Sequence, residues 1–139
     1  MNLINLTLLI VGVLYAAPDD RLVKFAQSIA VAEGFYDRGS LSFRRNNPGS
    51  LTNKWGDLIQ FKSPEAGWVA LGGQLERASC NQSRYYKPTM SLASMSRVWA
   101  RNSEDWLRNV LSSLRRKGIP ASPSTTIRGI LGPCQGRPS

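Results

Sequence analysis

An apolar stripe at helical spacing ends in a carboxylate. Its members are four, three and four residues apart, which places them on one face of an α-helix: Leu22, Ala26, Ile29 and Glu33. Gly34 follows directly and predicts the end of that helix. A carboxylate on an apolar face is costly to remove from water, and its pKa rises as a result. The stripe therefore predicts a helix that begins near residue 19 and ends at an acid with unusual surroundings.

Further stripes predict that the chain is mainly helical. Ser63-Pro64-Glu65 is typical of a helix start, with serine as the N-cap and proline in the first turn. We expect further helices over about 92–101, from a start capped by Ser103 to Gly118, and over about 125–131. Residues 37–62 contain three Gly, three Asn and one Pro, which predicts a long functional loop with a small β element near 58–61.

The N-terminus has a different character from the rest. Residues 3–17 form an uncharged apolar run that is shorter than the roughly 20 residues of a membrane-spanning helix. We expect residues 1–17 to be a signal peptide or an uncleaved signal-anchor, and residues 18–139 to be one domain. In an exported chain, Cys80 and Cys134 are a candidate disulfide, with two buried free thiols as the alternative.

The composition restricts both the partners and the chemistry. The chain has 139 residues and a net charge of +9, so nucleic acid, anionic lipid or an anionic cell-wall polymer are the candidate partners. No single helix is rich in Lys and Arg, so nucleic acid is not expected. The absence of histidine excludes histidine-based zinc sites and nucleophiles activated by histidine. We expect no metal and no cofactor, and catalysis would depend on carboxylates.

Three ordered blocks carry a family resemblance. They are IAVAEGF at 29–35, RNNPGSL at 45–51 and FKSPEAGWVAL at 61–71. In this order they resemble phage-type lytic transglycosylases of the lysozyme-like superfamily, over roughly residues 25–131. The resemblance implies a lysozyme-like fold and cleavage of peptidoglycan between N-acetylmuramic acid and N-acetylglucosamine, in phage infection or host lysis. It also implies a monomer in the periplasm or cell wall, or on a virion, with residues 3–17 as a possible membrane anchor.

The resemblance assigns the role of general acid to Glu33. Such an enzyme needs no second carboxylate, because the 6-hydroxyl of the sugar closes onto C1 and gives a 1,6-anhydro product, whereas most glycosidases use two. No convincing partner carboxylate is present in the sequence. The alternatives are a hydrolytic muramidase of the same fold and a non-catalytic wall-binding or virion structural protein. In that last case Glu33 would be a structural acid, for example one that pairs with Arg44 or Arg45.

Further candidate residues surround this acid. Asn46 and Asn47 can hydrogen-bond aminosugars or orient Glu33, with Asn47 favoured, or they can simply form a turn. Either Tyr85 or Tyr86 is expected in the cleft, and Phe35 can help desolvate the acid. The family's loop carries a further asparagine where this chain has a serine, which puts a contact from Ser50 in doubt. The tryptophans on the helical stripes are predicted to be core residues: Trp68, Trp99 and Trp106.

Overall fold

Six helices and almost no β-structure make up residues 20–134, the part of the chain that the computed structural model describes. The helices are α1 (Asp20–Ala32), α2 (Leu41–Arg44), α3 (Pro64–Ser79), α4 (Leu92–Trp99), α5 (Ser103–Arg116) and α6 (Ile127–Leu131). The prediction of a mainly helical domain is confirmed. The predicted signal segment at 1–17 lies outside the described residues.

The end of α1 is fixed by a glycine, as predicted. Gly34 has a φ of 75°, a left-handed conformation that glycine adopts without a side-chain clash. The Phe35 amide donates to the Ala30 carbonyl (3.0 Å), and the Gly34 amide donates to the Val31 carbonyl (3.1 Å). This is the Schellman arrangement, in which Glu33 is the last residue before the left-handed turn. The backbone that carries Glu33 is therefore held by hydrogen bonds on both sides.

Most helix starts are capped by side chains. The Ser63 hydroxyl accepts from the Ala66 amide at 3.1 Å, and Pro64 follows it, as the sequence predicted. The helix expected to follow a Ser103 cap begins one residue earlier than expected. Asn102 is its N-cap, with the carboxamide oxygen accepting from the Asp105 amide, and Ser103 is already helical.

The core lies around α1, which packs against α5, α3 and α6, while α4 packs against α5. One face of each helix supplies apolar side chains that are removed from water, which is the main favourable term in folding. The largest of these side chains are fully buried: Phe25, Ile29, Leu71, Leu75, Leu92, Met95, Val110, Leu114, Ile127 and Ile130. Within residues 20–134, no helix is both long and apolar enough to cross a bilayer.

The loop at 37–62 contains more helix and less strand than predicted. The four-residue helix α2 was not expected, and it begins where the Ser40 hydroxyl accepts from the Phe43 amide. The expected β element is reduced to a single antiparallel bridge between Thr52 and Leu58. A disulfide joins Cys80 to Cys134, which confirms the pairing that the sequence left open.

Candidate active site

The carboxyl group of Glu33 lies between α1 and α5. The indole N–H of Trp106 donates to Oε2 of Glu33 at 2.8 Å. The Ser50 side chain lies close enough to this carboxyl group to lower its pKa. No Lys or Arg is among the described groups that shift the pKa of Glu33, so its partners are neutral donors. The structural alternative of an ion pair with Arg44 or Arg45 is therefore not the arrangement found.

Burial raises the pKa of Glu33 above the ordinary value of a glutamate. Hydrogen bonds from Ser50, then Trp106 and then Trp99 act in the opposite direction, because they stabilise the charged form. The indole of Trp99 is directed mainly at a backbone carbonyl, that of Gly49, at 3.1 Å. Desolvation is the largest of these effects, so the protonated acid persists to a higher pH than in a free glutamate.

The Asn47 side chain joins two parts of the loop at 37–62 by hydrogen bonds, and we call this arrangement the Asn47 clamp. Its amide nitrogen donates to the carbonyl oxygens of Leu51 and Ile59, both at 2.9 Å, and its oxygen accepts from the Leu51 amide at 2.8 Å. The residue is fully buried. Because both amide hydrogens and the oxygen are used by the backbone, Asn47 does not offer the saccharide contact that the sequence favoured for it.

Asn46 also faces the loop rather than open solvent. Its side-chain nitrogen donates to the Phe61 carbonyl at 3.1 Å, and its backbone has a positive φ of 53°. The loop backbone lies so close to α3 that a Cβ at Gly67 would overlap the carbonyl oxygen of Asn46. The glycine in the third sequence block thus lets the second block approach the helix directly.

Ser50 is a site residue that sequence reasoning put in doubt. It has a φ of 48°, and its side chain reaches the Glu33 carboxyl group. The turn that precedes it is held by the Ser50 amide, which donates to the Asn47 carbonyl at 3.0 Å. That same carbonyl accepts from the Ser42 hydroxyl at 2.7 Å. The buried clamp at Asn47 therefore positions the residue that contacts the acid.

Three aromatic rings contact one another in series beside the site. Tyr86 lies 5.2 Å from Trp99 between ring centroids, and Trp99 lies 5.8 Å from Trp106. Burial and then the charge of Glu33 raise the pKa of Tyr86 to about 12. Tyr86 is buried, whereas Tyr85 is exposed. The structure thus places Tyr86, rather than Tyr85, near the acid, and keeps its hydroxyl protonated at neutral pH.

Trp99 and Trp106 were predicted as core residues, and both do contribute to the core or its edge. Their polar N–H groups serve the site, which sequence reasoning missed. A usable signal existed, because a buried tryptophan normally finds an acceptor for its N–H and Glu33 is an acid on an apolar stripe. Only the fold shows that the N–H of Trp106 finds its acceptor in the carboxyl group of Glu33.

Phe35 follows Gly34 directly after the end of α1. It is buried and contacts Trp68 edge to face, with ring centroids 5.4 Å apart, and Phe43 at 6.1 Å. Its expected part in desolvating Glu33 stays a prediction. Its clear role is to bury the C-terminal end of α1.

The other acids described do not join Glu33. Six of them are solvent-exposed: Asp20, Asp37, Asp57, Glu65, Glu104 and Asp105. Glu76 is half-buried on α3, and no described carboxylate is among the groups that shift the pKa of Glu33. Within residues 20–134, no three acids or cysteines are grouped so as to hold a metal ion. The site can donate a proton from Glu33 and accept one back.

A separate apolar groove of about 290 Å³ runs between α1 and α3. Glu33 is not among its lining residues, which are Leu22, Val23, Ala26, Gln27, Trp68 and Gly72.

Comparison of the chain with protein-family models, with curated proteins and with solved structures gave no match.

Proposed function

We propose that this chain is a lytic transglycosylase of lysozyme-like fold, which cleaves peptidoglycan between N-acetylmuramic acid and N-acetylglucosamine. The observation that carries the proposal is a single carboxyl group, Glu33, with a raised pKa and neutral hydrogen-bond donors around it. Such an acid can protonate a leaving oxygen at a higher pH than a free glutamate can. The resemblance of the ordered sequence blocks supports the choice of family, and the net charge of +9 supports attraction to an anionic wall.

The reaction would use Glu33 twice. In the first step Glu33 gives its proton to the glycosidic oxygen as the bond from that oxygen to C1 of the muramic acid breaks. In the second step the 6-hydroxyl of the same sugar forms a bond to C1, and its proton passes to the Glu33 carboxylate. The acid is restored, no water is consumed, and the product is a 1,6-anhydro sugar.

The neighbouring groups have consistent tasks in this scheme. Trp106 and Ser50 stabilise the carboxylate that exists between the two proton transfers, and they fix its direction. Tyr86 remains protonated, so its hydroxyl acts as a hydrogen-bond donor rather than as a base. Because Asn47 is occupied by the backbone, it holds the loop and does not bind the sugar.

Mass spectrometry of the muropeptides released from purified sacculi tests the proposal. We expect the wild-type chain to release anhydro-muropeptides and Glu33→Gln to release none, while both have the same circular dichroism spectrum. Products heavier by one water would identify a hydrolytic muramidase. Full activity in Glu33→Gln, or no cleavage by the folded wild-type chain, would reject the catalytic role and favour a wall-binding or virion structural protein.

The proposed location follows from the proposed substrate. An enzyme that cleaves this polymer works in the periplasm or cell wall, or on a virion. The disulfide between Cys80 and Cys134 is consistent with an oxidising compartment, where such bonds persist.

A further inference from the structure

Trp55 is exposed to solvent in the turn that is closed by the bridge between Thr52 and Leu58. Trp55 is 74% exposed, whereas the other tryptophans, Trp68, Trp99 and Trp106, are half-buried or buried. An indole ring is large and mostly apolar, so its exposure to water is unfavourable unless the ring contacts a partner. The position of Trp55 therefore points to a surface that binds something.

The backbone that carries Trp55 is well defined. The side-chain oxygen of Asn53 accepts from the amides of Trp55 (2.9 Å) and Asp57 (3.0 Å), and the Asn53 amide donates to the Asp57 carbonyl (2.9 Å). The bridge between Thr52 and Leu58 closes the base of this turn. A side chain on such a turn loses little backbone entropy when it binds, because the backbone is already ordered.

The same turn is joined to the acid through the Asn47 clamp. Asn47 bonds to Leu51 and Ile59, which flank the turn on both sides, and Ser50 next to Leu51 contacts Glu33. Trp55 is five residues from Ser50, so their Cα atoms are at most about 18 Å apart. An extended polymer bound at the acid is therefore long enough to span the distance to Trp55.

Lys54 restricts which face of the ring is used. Its ammonium nitrogen lies 4.6 Å from the centroid of the Trp55 ring, a cation–π contact that covers one face. The high exposure of the residue shows that the opposite face is open. The free face of an indole matches the C–H groups that a pyranose ring presents on its own face.

We propose that Trp55 forms an outlying saccharide subsite, on which a sugar unit several positions from the cleaved bond stacks. This inference rests on the proposed function. A saccharide suits the surroundings better than a bilayer does. The neighbours of Trp55 along the chain are Lys54, Gly56 and Asp57, and none of them adds a large apolar side chain that could enter a membrane.

The test measures saccharide binding by a variant that does not cleave its substrate. Isothermal titration of the full-length Glu33→Gln chain with β-1,4-linked N-acetylglucosamine oligomers of three and of six units measures binding without cleavage. The same titrations are made with two double variants, one that combines Glu33→Gln with Trp55→Ala and one that combines Glu33→Gln with Trp55→Phe. Val69→Ala in the same background is the matched control, because Val69 is 75% exposed on α3.

We expect Trp55→Ala to weaken binding of the six-unit oligomer about tenfold and to leave the three-unit oligomer unchanged. Trp55→Phe should restore most of the affinity, and Val69→Ala should have no effect. Equal losses for both lengths, or no loss for the longer one, would overturn the subsite. So would Trp55-dependent binding to vesicles of anionic phospholipid.

The two proposals can fail separately. If the wild-type chain cleaves no sacculi but the length-dependent loss at Trp55 is found, the subsite stands and the catalytic proposal fails. If sacculi are cleaved and Trp55→Ala binds both oligomers normally, the subsite fails alone. If neither oligomer binds, the subsite is overturned, whatever the result with sacculi.

Discussion

Glu33 and Asn47 are both withdrawn from solvent beside the same loop, and they differ in how completely their polar atoms are used. Both amide hydrogens and the oxygen of Asn47 bond to the backbone at 2.8–2.9 Å. The carboxyl group of Glu33 receives side-chain donors only, and burial still raises its pKa. A buried polar group whose hydrogen bonds are all made is part of the framework, whereas an acid whose pKa is raised by burial holds its proton to a higher pH and can still give it to a partner.

The largest effect that would test this comparison is expected from Glu33→Gln. The amide keeps an oxygen for the Trp106 indole but has no proton to donate, so we expect cleavage of sacculi to fall by about 10²–10⁴-fold. The free energy of unfolding should change by less than about 1 kcal/mol. Muropeptide release and urea unfolding measure the two quantities. A large loss of stability would show that Glu33, like Asn47, is part of the framework.

Asn47→Ala should show the opposite pattern. The change leaves the Leu51 amide and the carbonyls of Leu51 and Ile59 without their partner, and we expect a loss of about 3 kcal/mol in the free energy of unfolding. Asn102→Ala is the matched control, because that exposed N-cap should cost only about 1 kcal/mol. If urea unfolding shows wild-type stability for Asn47→Ala, the clamp interpretation is wrong.

A smaller effect is expected from Trp106→Phe, which removes a donor that stabilises the charged form of Glu33. The pKa of Glu33 should rise further, and the alkaline limb of the activity profile should move up by about one pH unit. The control is Trp68→Phe, because Trp68 contacts Phe35 rather than the acid. The rate of sacculus clearing against pH measures the shift. A limb that moves down would show that the indole does not stabilise the carboxylate.

The smallest effect is the change that Glu33 causes in the free energy of unfolding as the pH rises. The folded chain holds the Glu33 proton more tightly than the unfolded chain, because burial raises the pKa. Its stability should therefore fall as pH rises from the unfolded value of about 4.3 through the folded value. In Glu33→Gln this fall should be absent, so the difference between the two chains should grow with pH and then level off. A constant difference across urea titrations at acidic to mildly alkaline pH would contradict the raised pKa.

Much of the helical framework could be predicted because its signals are local. Gly34 ends α1 and Ser63 caps α3 through contacts within a few residues. Helix α2 was missed because four residues carry no periodic pattern, and its start depends on the Ser40 cap. The sequence also could not show how the buried N–H of Trp106 is satisfied, because its acceptor Glu33 is 73 residues away along the chain.

The candidate site could be predicted only in part, for the same physical reason. The apolar stripe singled out Glu33 as an acid in unusual surroundings, and the resemblance gave it the role of general acid. The resemblance also limited the expected cleft tyrosine to Tyr85 or Tyr86. Whether the Asn47 side chain bonds to the backbone or faces solvent depends on where the backbone at Leu51 and Ile59 lies, which a turn motif does not encode. Position 50 was judged by residue type, yet the left-handed backbone of Ser50 brings a short hydroxyl within reach of the acid.

The disulfide makes a covalent ring of residues 80–134. The aromatic groups of the site, Tyr86, Trp99 and Trp106, belong to this ring, whereas Glu33 and Ser50 lie outside it. A single peptide-bond cut inside the ring leaves the acid and its aromatic partners in one molecule, joined through sulfur. A cut between Glu33 and Cys80 leaves no covalent link between them, and then only the helix contacts hold the site together.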